Sequence, residues 1–259
     1  ALLRSVLSQT GYDKAVKVMA LEETIGQLEK VRGGTAIRDP DRYYFTLFGE
    51  PSEVGRWGLS IEGHHLSLNL LVDSGRVIAA TPMFFAANPN VVLEGMPGRV
   101  GQGTRVLADE ELLAFQLMES LSAEQRKVAV LDAKAPRDIR GAGQPQPPAY
   151  APEGLSLTGM NETQQKLLKQ LIATYLGNLP SDLAAARLNA IDEAGWDKVY
   201  FAWAGADRPG IGHYYRIQGP TFLIEFVNTQ SDAAGNPACH IHSVLRDPRG
   251  DFDIPAKRD

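Results

Sequence analysis

The spacing of apolar positions changes twice along the chain. From residue 1 to 33 it is helical, with Val6, Val16, Val18, Met19, Leu21, Ile25, Leu28 and Val31 on the pattern and Gly33-Gly34 closing it, which predicts one or two helices. From Asp41 the period becomes two, giving strands at Arg42 to Phe48, Gly58 to Ile61, His64 to Asp73 and Arg76 to Phe85. The tight joint Asp73-Ser74-Gly75 pairs the last two as an antiparallel hairpin. Helical spacing returns at Ala108 and runs to about Leu121, with Asp109, Glu110 and Glu111 in the first turn, where the helix dipole favours acids. Ser122-Ala-Glu-Gln then reads as a capping box opening a further helix to about Leu131.

Residues 134 to 159 break the pattern, with Pro136, Pro145, Pro147, Pro148 and Pro152 among several glycines. A segment of that kind inside a compact protein is either functional or mobile, and we read it as a connector able to act as a lid. A capped helix follows from Asn161 to about Leu176, another from Ser181 to Glu193, and strands resume at Lys198 to Trp203, His213 to Gln218, Thr221 to Thr229 and His240 to Arg246.

Sliding the chain on itself aligns Asp41, Tyr44, Phe45, Gly49, Ile61 and Gly63 with Asp197, Tyr200, Phe201, Gly205, Ile217 and Gly219. The alternation Leu66, Leu68, Leu70 meets Phe222, Ile224, Phe226 at the same offset. The expectation is an α+β protein whose antiparallel sheet comes from two related halves, an internal duplication, and is covered by helices. The halves are 1–133 and 161–259, joined by 134–160 and packed as one unit. The histidines break the symmetry: His213 falls opposite Trp57, and His64 and His65 fall opposite Pro220 and Thr221.

Composition narrows the classes. With 259 residues, 44% hydrophobic and 22% charged, the chain is an ordinary globular protein large enough to bury a core without staples. A net charge of −5 without a basic run argues against a nucleic-acid partner. The longest apolar runs, Val77 to Ala80 and Pro82 to Ala87, are far short of a membrane span, so no membrane insertion is expected. The lone cysteine, Cys239, excludes a disulfide framework and an all-cysteine zinc site. The opening Ala-Leu-Leu-Arg shows no export signal, so the expectation is that any such signal has been removed or never existed.

Candidate chemistry centres on histidine. All five, His64, His65, His213, His240 and His242, lie in or beside predicted strands. His240 and His242 are two apart and project from one face, the usual strand route to a two-imidazole metal site. Zinc or copper suits such ligands, with a third from His213 or from whichever of His64 and His65 faces inward. A metal-free alternative uses His213-Tyr214-Tyr215-Arg216, where histidine and tyrosine exchange protons and arginine neutralises an oxyanion or carboxylate. That set fits hydrolysis, or β-elimination from an acidic sugar. A histidine pair without a fixed third ligand is more often a hydrogen-bonding or acid-base pair than a metal site, and strand aromatics such as Trp57 and Trp203 are more often core than sugar platforms. No Gly-x-Ser-x-Gly elbow occurs, which disfavours a serine hydrolase of the α/β type. Cys239 beside His240 is at most a weak candidate nucleophile.

The segments Tyr44-Phe-Thr-Leu-Phe-Gly, Trp57-Gly, Gly63-His-His-Leu-Ser-Leu-Asn, Thr81-Pro-Met-Phe-Phe, Arg105-Val-Leu-Ala-Asp-Glu, His213-Tyr-Tyr-Arg-Ile-Gln-Gly-Pro and His240-Ile-His-Ser-Val-Leu-Arg-Asp resemble, in order, domain of unknown function family 3500. The resemblance runs from about residue 10 to the C-terminus. It implies a bacterial protein, often exported and hence periplasmic or extracellular, with no established activity. It places all five histidines, with Asn228, Arg246 and Asp247, inside signature motifs. This chain departs from the pattern before His240: an Ala-Asn pair is expected there, whereas Ser231 to Cys239 intervene, with Asn236 as the available substitute. Together these readings point to a hydrolase or lyase acting on a small or carbohydrate-derived ligand, using His213, Tyr214, Arg216, His240 and His242. The alternative is a non-catalytic metal- or ligand-binding protein with the same cleft.

Overall fold

The computed structural model describes residues 2–149 and 151–256. It is a mixed α+β protein built on one large, mostly antiparallel sheet. In chain order the helices are α1 (Leu2–Val6), α2 (Gln9–Val31), α3 (Ala108–Ser120), α4 (Ala123–Ala129), α5 (Glu162–Leu176) and α6 (Ser181–Ala194). The strands are β1 (Tyr44–Phe48), β2 (Arg56–Glu62), β3 (Leu66–Asp73), β4 (Arg76–Ala79), β5 (Met83–Ala87), β6 (Val130–Asp132), β7 (Leu155–Ser156), β8 (Tyr200–Gly205), β9 (His213–Gly219), β10 (Phe222–Gln230) and β11 (His240–Arg246).

The sheet runs β1-β2-β3-β5-β11-β10-β9-β8-β6, with β4 beside β3 and β7 beside β8. Outward from the central β5–β11 pair, β3, β2 and β1 lie on one side and β10, β9, β8 and β6 on the other. Tyr44 pairs with Glu62 and Ile61 with Leu68; Tyr200 pairs with Gln218 and Ile217 with Ile224.

The two faces differ because the strand period is two. One face carries Ile61, Leu68, Phe85, Ile241, Phe226, Tyr215 and Trp203, all buried, and packs on Val18, Leu21, Leu117, Leu171 and Ile172 of the helices in one continuous core. This is the helix face. Within this layer α2 packs so closely on the turn after α5 that a Cβ on Gly11 would collide with the Asn178 carbonyl oxygen. α4 and α5 both begin with capping boxes, Ser122 with Gln125 and Asn161 with Gln164, as their sequences require.

The opposite face is covered by the connector instead. Ala135 and Ile139 pack on a small cluster of Ala204, Tyr214 and Val227. One predicted strand is split: Arg76 to Phe85 becomes β4 and β5, interrupted around Pro82, which has no N–H to give a ladder. None of the helices in the described residues is long and apolar enough to cross a membrane.

Candidate functional site

At the start of β11, alternation sends His240 and His242 to the connector face while Ile241 enters the core, fully buried. β5 lies beside β11, pairing Ala86 with His242, and the Ala86 N–H donates to the His65 carbonyl at 2.9 Å. That bond brings the bend before β3 against the histidine pair. Three imidazoles therefore meet: His240 Nε2 is 3.1 Å from His65 Nε2 and 3.1 Å from His242 Nε2. One ligand atom from each of the three lies within 4.8 Å of the other two. Two ligand nitrogens of a tetrahedral zinc, each about 2.0–2.1 Å from the metal, stand about 3.3–3.4 Å apart. The short edges of the cluster come within a few tenths of an ångström of that figure.

The outer nitrogens are held by groups far away in sequence. Asp138, in the connector, accepts from His242 Nδ1 at 2.8 Å, which fixes the proton on Nδ1 and turns the Nε2 lone pair inward. Glu22, buried on α2, has Oε1 3.7 Å from His65 Nδ1 and 2.9 Å from His64 Nδ1. Behind His240, Asn88 Nδ2 is 3.5 Å from Nδ1, and the Asn88 carbonyl accepts from the Ala233 N–H at 3.1 Å. The amide thus turns its donor end to His240, placing the His240 proton on Nε2 between two acceptor nitrogens. From the helix face, the Asn228 side-chain carbonyl accepts from the His240 backbone N–H at 3.1 Å.

Electrostatics keep His65 and His240 neutral. Burial, then the neighbouring His64, His240 and His242, pushes His65 well below the usual imidazole value. Burial and His242 lower His240 to about 4. Burial acts to raise Asp138, but the His242 hydrogen bond and charge outweigh it and leave the carboxyl below its ordinary value. A neutral imidazole is the form that binds metal. On this ground Asp138→Asn is expected to weaken zinc binding about 10- to 100-fold while the melting temperature of the metal-free protein changes little. Competition titration with a chromogenic chelator checks it, and an unchanged affinity would remove Asp138 from the site.

His64 does not join. It stacks on His65 with ring centroids 3.7 Å apart and pairs with Glu22. Glu22, His64 and His65 form a second cluster of metal-ligating types, but Arg38 Nη1 lies 2.9 Å from His64 Nδ1. Arg38 also pairs with Glu29 at 2.9 Å. A guanidinium already fills the cationic position there.

His213 stands on the other side of the sheet, which corrects the expectation that it supplies a third ligand. It pairs with Asn228, which pairs with Ile241, so its ring faces the helices. There it stacks with Trp203, and Nε2 lies 3.1 Å from Glu111 Oε1, off the line of a good hydrogen bond. The His213-Tyr214-Tyr215-Arg216 set is likewise divided by alternation. Tyr214 and Arg216 face the connector, Tyr214 donating to Glu225 at 2.5 Å and Arg216 to Glu153 at 2.6 Å. Tyr215 faces the core, 2.6 Å from the Tyr175 hydroxyl. Burial raises both phenols far above their usual range, so neither is a base, and the four do not converge. Burial also raises the Cys239 thiol, which removes it as a thiolate nucleophile. Asn236 binds Asp232 at 2.8 Å inside its own loop, whereas Asn88 is the asparagine behind His240.

Of the three imidazoles, His242 lines a cleft of about 440 Å³, bounded also by Asp138, Phe84, Glu62 and Asn69, with connector residues 141–145 as one wall; His65 and His240 do not border it. A larger hollow of about 610 Å³ lies among α1, α2 and β1, with Asp41 and Arg99 as its charged lining among the described residues. Glu22 and Asp138 were not legible as site residues. Asp138 had one signal, its place in the Pro/Gly-rich connector; Glu22 had none.

A family described as "protein of unknown function (DUF3500)" matches this chain over residues 1–254. No curated protein and no solved structure matches it.

Proposed function

The chain belongs to the DUF3500 family, whose description names no reaction, and from the geometry of the site we propose that it is a metal-dependent hydrolase of a small or carbohydrate-derived substrate. His65, His240 and His242 hold one zinc ion on this reading. The observation that carries it is the convergence of three imidazole nitrogens, two of their separations being 3.1 Å, with carboxylates beside the far nitrogens of His242 and His65. Zinc is favoured over copper because three imidazoles backed by carboxylates match the common catalytic zinc set, with a fourth position left toward the cleft.

When bound, zinc supplies Lewis acidity and a water nucleophile at neutral pH. The chain supplies the rest. Asp138 holds the His242 Nδ1 proton so that Nε2 presents its lone pair. Glu22 does the same for His65 by charge, and to hold the ion through Nε2 His240 would carry its proton on Nδ1, with the Asn88 amide turned to accept it. His242 is partly exposed to the cleft, so a substrate can approach it. Glu62, which accepts from Ser67 Oγ at 3.1 Å, is the cleft carboxylate not engaged with the cluster and the proposed proton acceptor. We further propose that the two halves descend from one duplicated unit, that the seam between them became the site, and that the protein acts after export from a bacterial cell.

Metal analysis of protein purified without a histidine tag is expected to give about one zinc per chain. Zinc at 100 times Kd should add about 2.7 kcal/mol of stability, read as a rise in melting temperature. Well under one equivalent, with no rise on adding zinc or copper, would sink the metal reading. Among chromogenic esters and glycosides, turnover removed by chelation and restored by zinc separates an enzyme from a metal-binding protein.

A further inference from the structure

A second hollow of about 420 Å³ lies on the same sheet face as the histidine cleft, farther along β2 and β3, bounded by Phe48, Gly58, Ser60, Leu71, Phe252 and Ile254. The two are consecutive stretches of one track. Gly58 pairs with Leu71, Ser60 with Asn69 and Glu62 with Ser67, so alternate residues of both strands walk from the apolar hollow to the cleft. Ser60 Oγ donates to Asn69 Oδ1 at 2.5 Å where the hollows meet. Glu62 is four residues beyond Gly58 along the strand, about 13 Å. Phe252 borders both hollows.

Phe252 is itself unusual. Its φ of 60° and ψ of 20° lie in the left-handed region, a conformation a bulky residue keeps only when its surroundings hold it. Its N–H donates to the Thr81 carbonyl at 2.8 Å. The fold thus fixes an aromatic ring between the cleft and the hollow behind it.

Charge selects the occupant. Among the described residues, Arg56 is the charged one lining the apolar hollow, and it pairs with Asp73 at 2.8 Å and Asp253 at 3.1 Å. At the site end, Glu62 and Asp138 are carboxylates, and Arg246 is held by Asp251 at 2.7 Å. An anionic head would meet repulsion at the cleft, and a charged tail would have no partner in the hollow. A peptide strand would need a free sheet edge for its main-chain bonds, whereas this track is the face of paired strands and offers side chains alone.

We propose that the track seats an amphiphile: an uncharged polar head at the histidine cleft, and an acyl or alkyl chain running past Phe252 over Gly58 and Leu71. This rests on the histidine cluster being the reaction site only for the direction in which the ligand lies. Gly58 is what leaves room for the chain. A Cβ there would meet Phe48 at 3.4 Å and nothing nearer, so a larger side chain fits the backbone but fills the groove.

The test is calorimetric titration of alkyl glucosides from butyl to decyl, below their micelle concentrations, into the whole chain. A methylene buried in the groove is worth about 0.8 kcal/mol, so Kd should fall about two- to fourfold per added methylene until the groove is full. Gly58→Leu, verified as folded by its melting temperature, should abolish that dependence. The double variant His240→Ala with His242→Ala should keep it, which separates failure of the metal reading from failure of this one. Affinity independent of alkyl length would overturn the proposal. So would a length dependence that survives Gly58→Leu, or a groove found closed by a second copy of the chain in sedimentation.

Discussion

His240→Ala is expected to lower zinc affinity about a hundred- to a thousandfold and to remove any zinc-dependent turnover. His240 is the common neighbour of the cluster: its Nε2 makes both 3.1 Å contacts, one with His65 and one with His242. Zinc sites with four protein ligands contribute about 10–16 kcal/mol, hence about 2.5–4 kcal/mol per ligand, which gives that range. The fold should survive. The ring is only partly buried, and the backbone of β11 stays anchored by Asn228 and by pairing with β5 and β10. His213→Ala is the matched control, since His213 faces the helices: it should leave zinc stoichiometry intact and lower stability instead. Equal loss of zinc in both variants, by competition titration with circular dichroism to verify folding, would mean that the site is misassigned.

The contrast between His240 and His213 shows what the sequence could convey. Periodicity locates strands well, because alternation is a local property. Thr221 to Thr229 is read as a strand where the structure has Phe222–Gln230, and His240 to Arg246 matches β11. Parity within one strand follows from the same pattern, so the common direction of His240 and His242 was legible, as was the rule that only one of His64 and His65 can join. Parity between strands is different. Whether His213 shares a face with His242 depends on the registers of β9 on β10 and β10 on β11, which are set by partners rather than by β9. The carboxylates behind the imidazoles are harder still. Glu22 is 42 residues from His64 and Asp138 is 104 from His242, and nothing in the local sequence of either announces its partner. The pairing of β5 with β11, which brings His65 against the histidine pair, joins segments that nothing in the local sequence of either links.

Glu111→Gln is expected to cost about 3–5 kcal/mol of stability at pH 7, the scale for removing one partner from a buried charged network. Glu111 accepts from Asn228 at 2.8 Å and Asn90 at 3.0 Å, pairs with Arg105, and faces His213. Burial alone would raise its carboxyl. The adjacent His213 imidazole, 3.1 Å away, with the hydrogen bonds from Asn228 and Asn90, overcomes this and lowers it from the ordinary 4.5 to about 2. The sign follows: the folded value lies below the unfolded one, so the contribution is full above pH 4.5 and is lost as pH falls from 4.5 to 2. At 1.36 kcal/mol per pH unit its size is about 3 kcal/mol, which agrees with the mutational figure. Urea melts at pH 7 and at steps down to pH 2.5 should therefore show the wild type losing stability more steeply than Glu111→Gln, with the two curves converging in acid. A variant within 1 kcal/mol of wild type at pH 7, or parallel curves, would contradict this. Because Asn228 also carries the His240 N–H, some weakening of zinc binding should accompany the loss, far smaller than that from His240→Ala. His213 is then a histidine whose place is the helix face, across the sheet from the cluster of His65, His240 and His242.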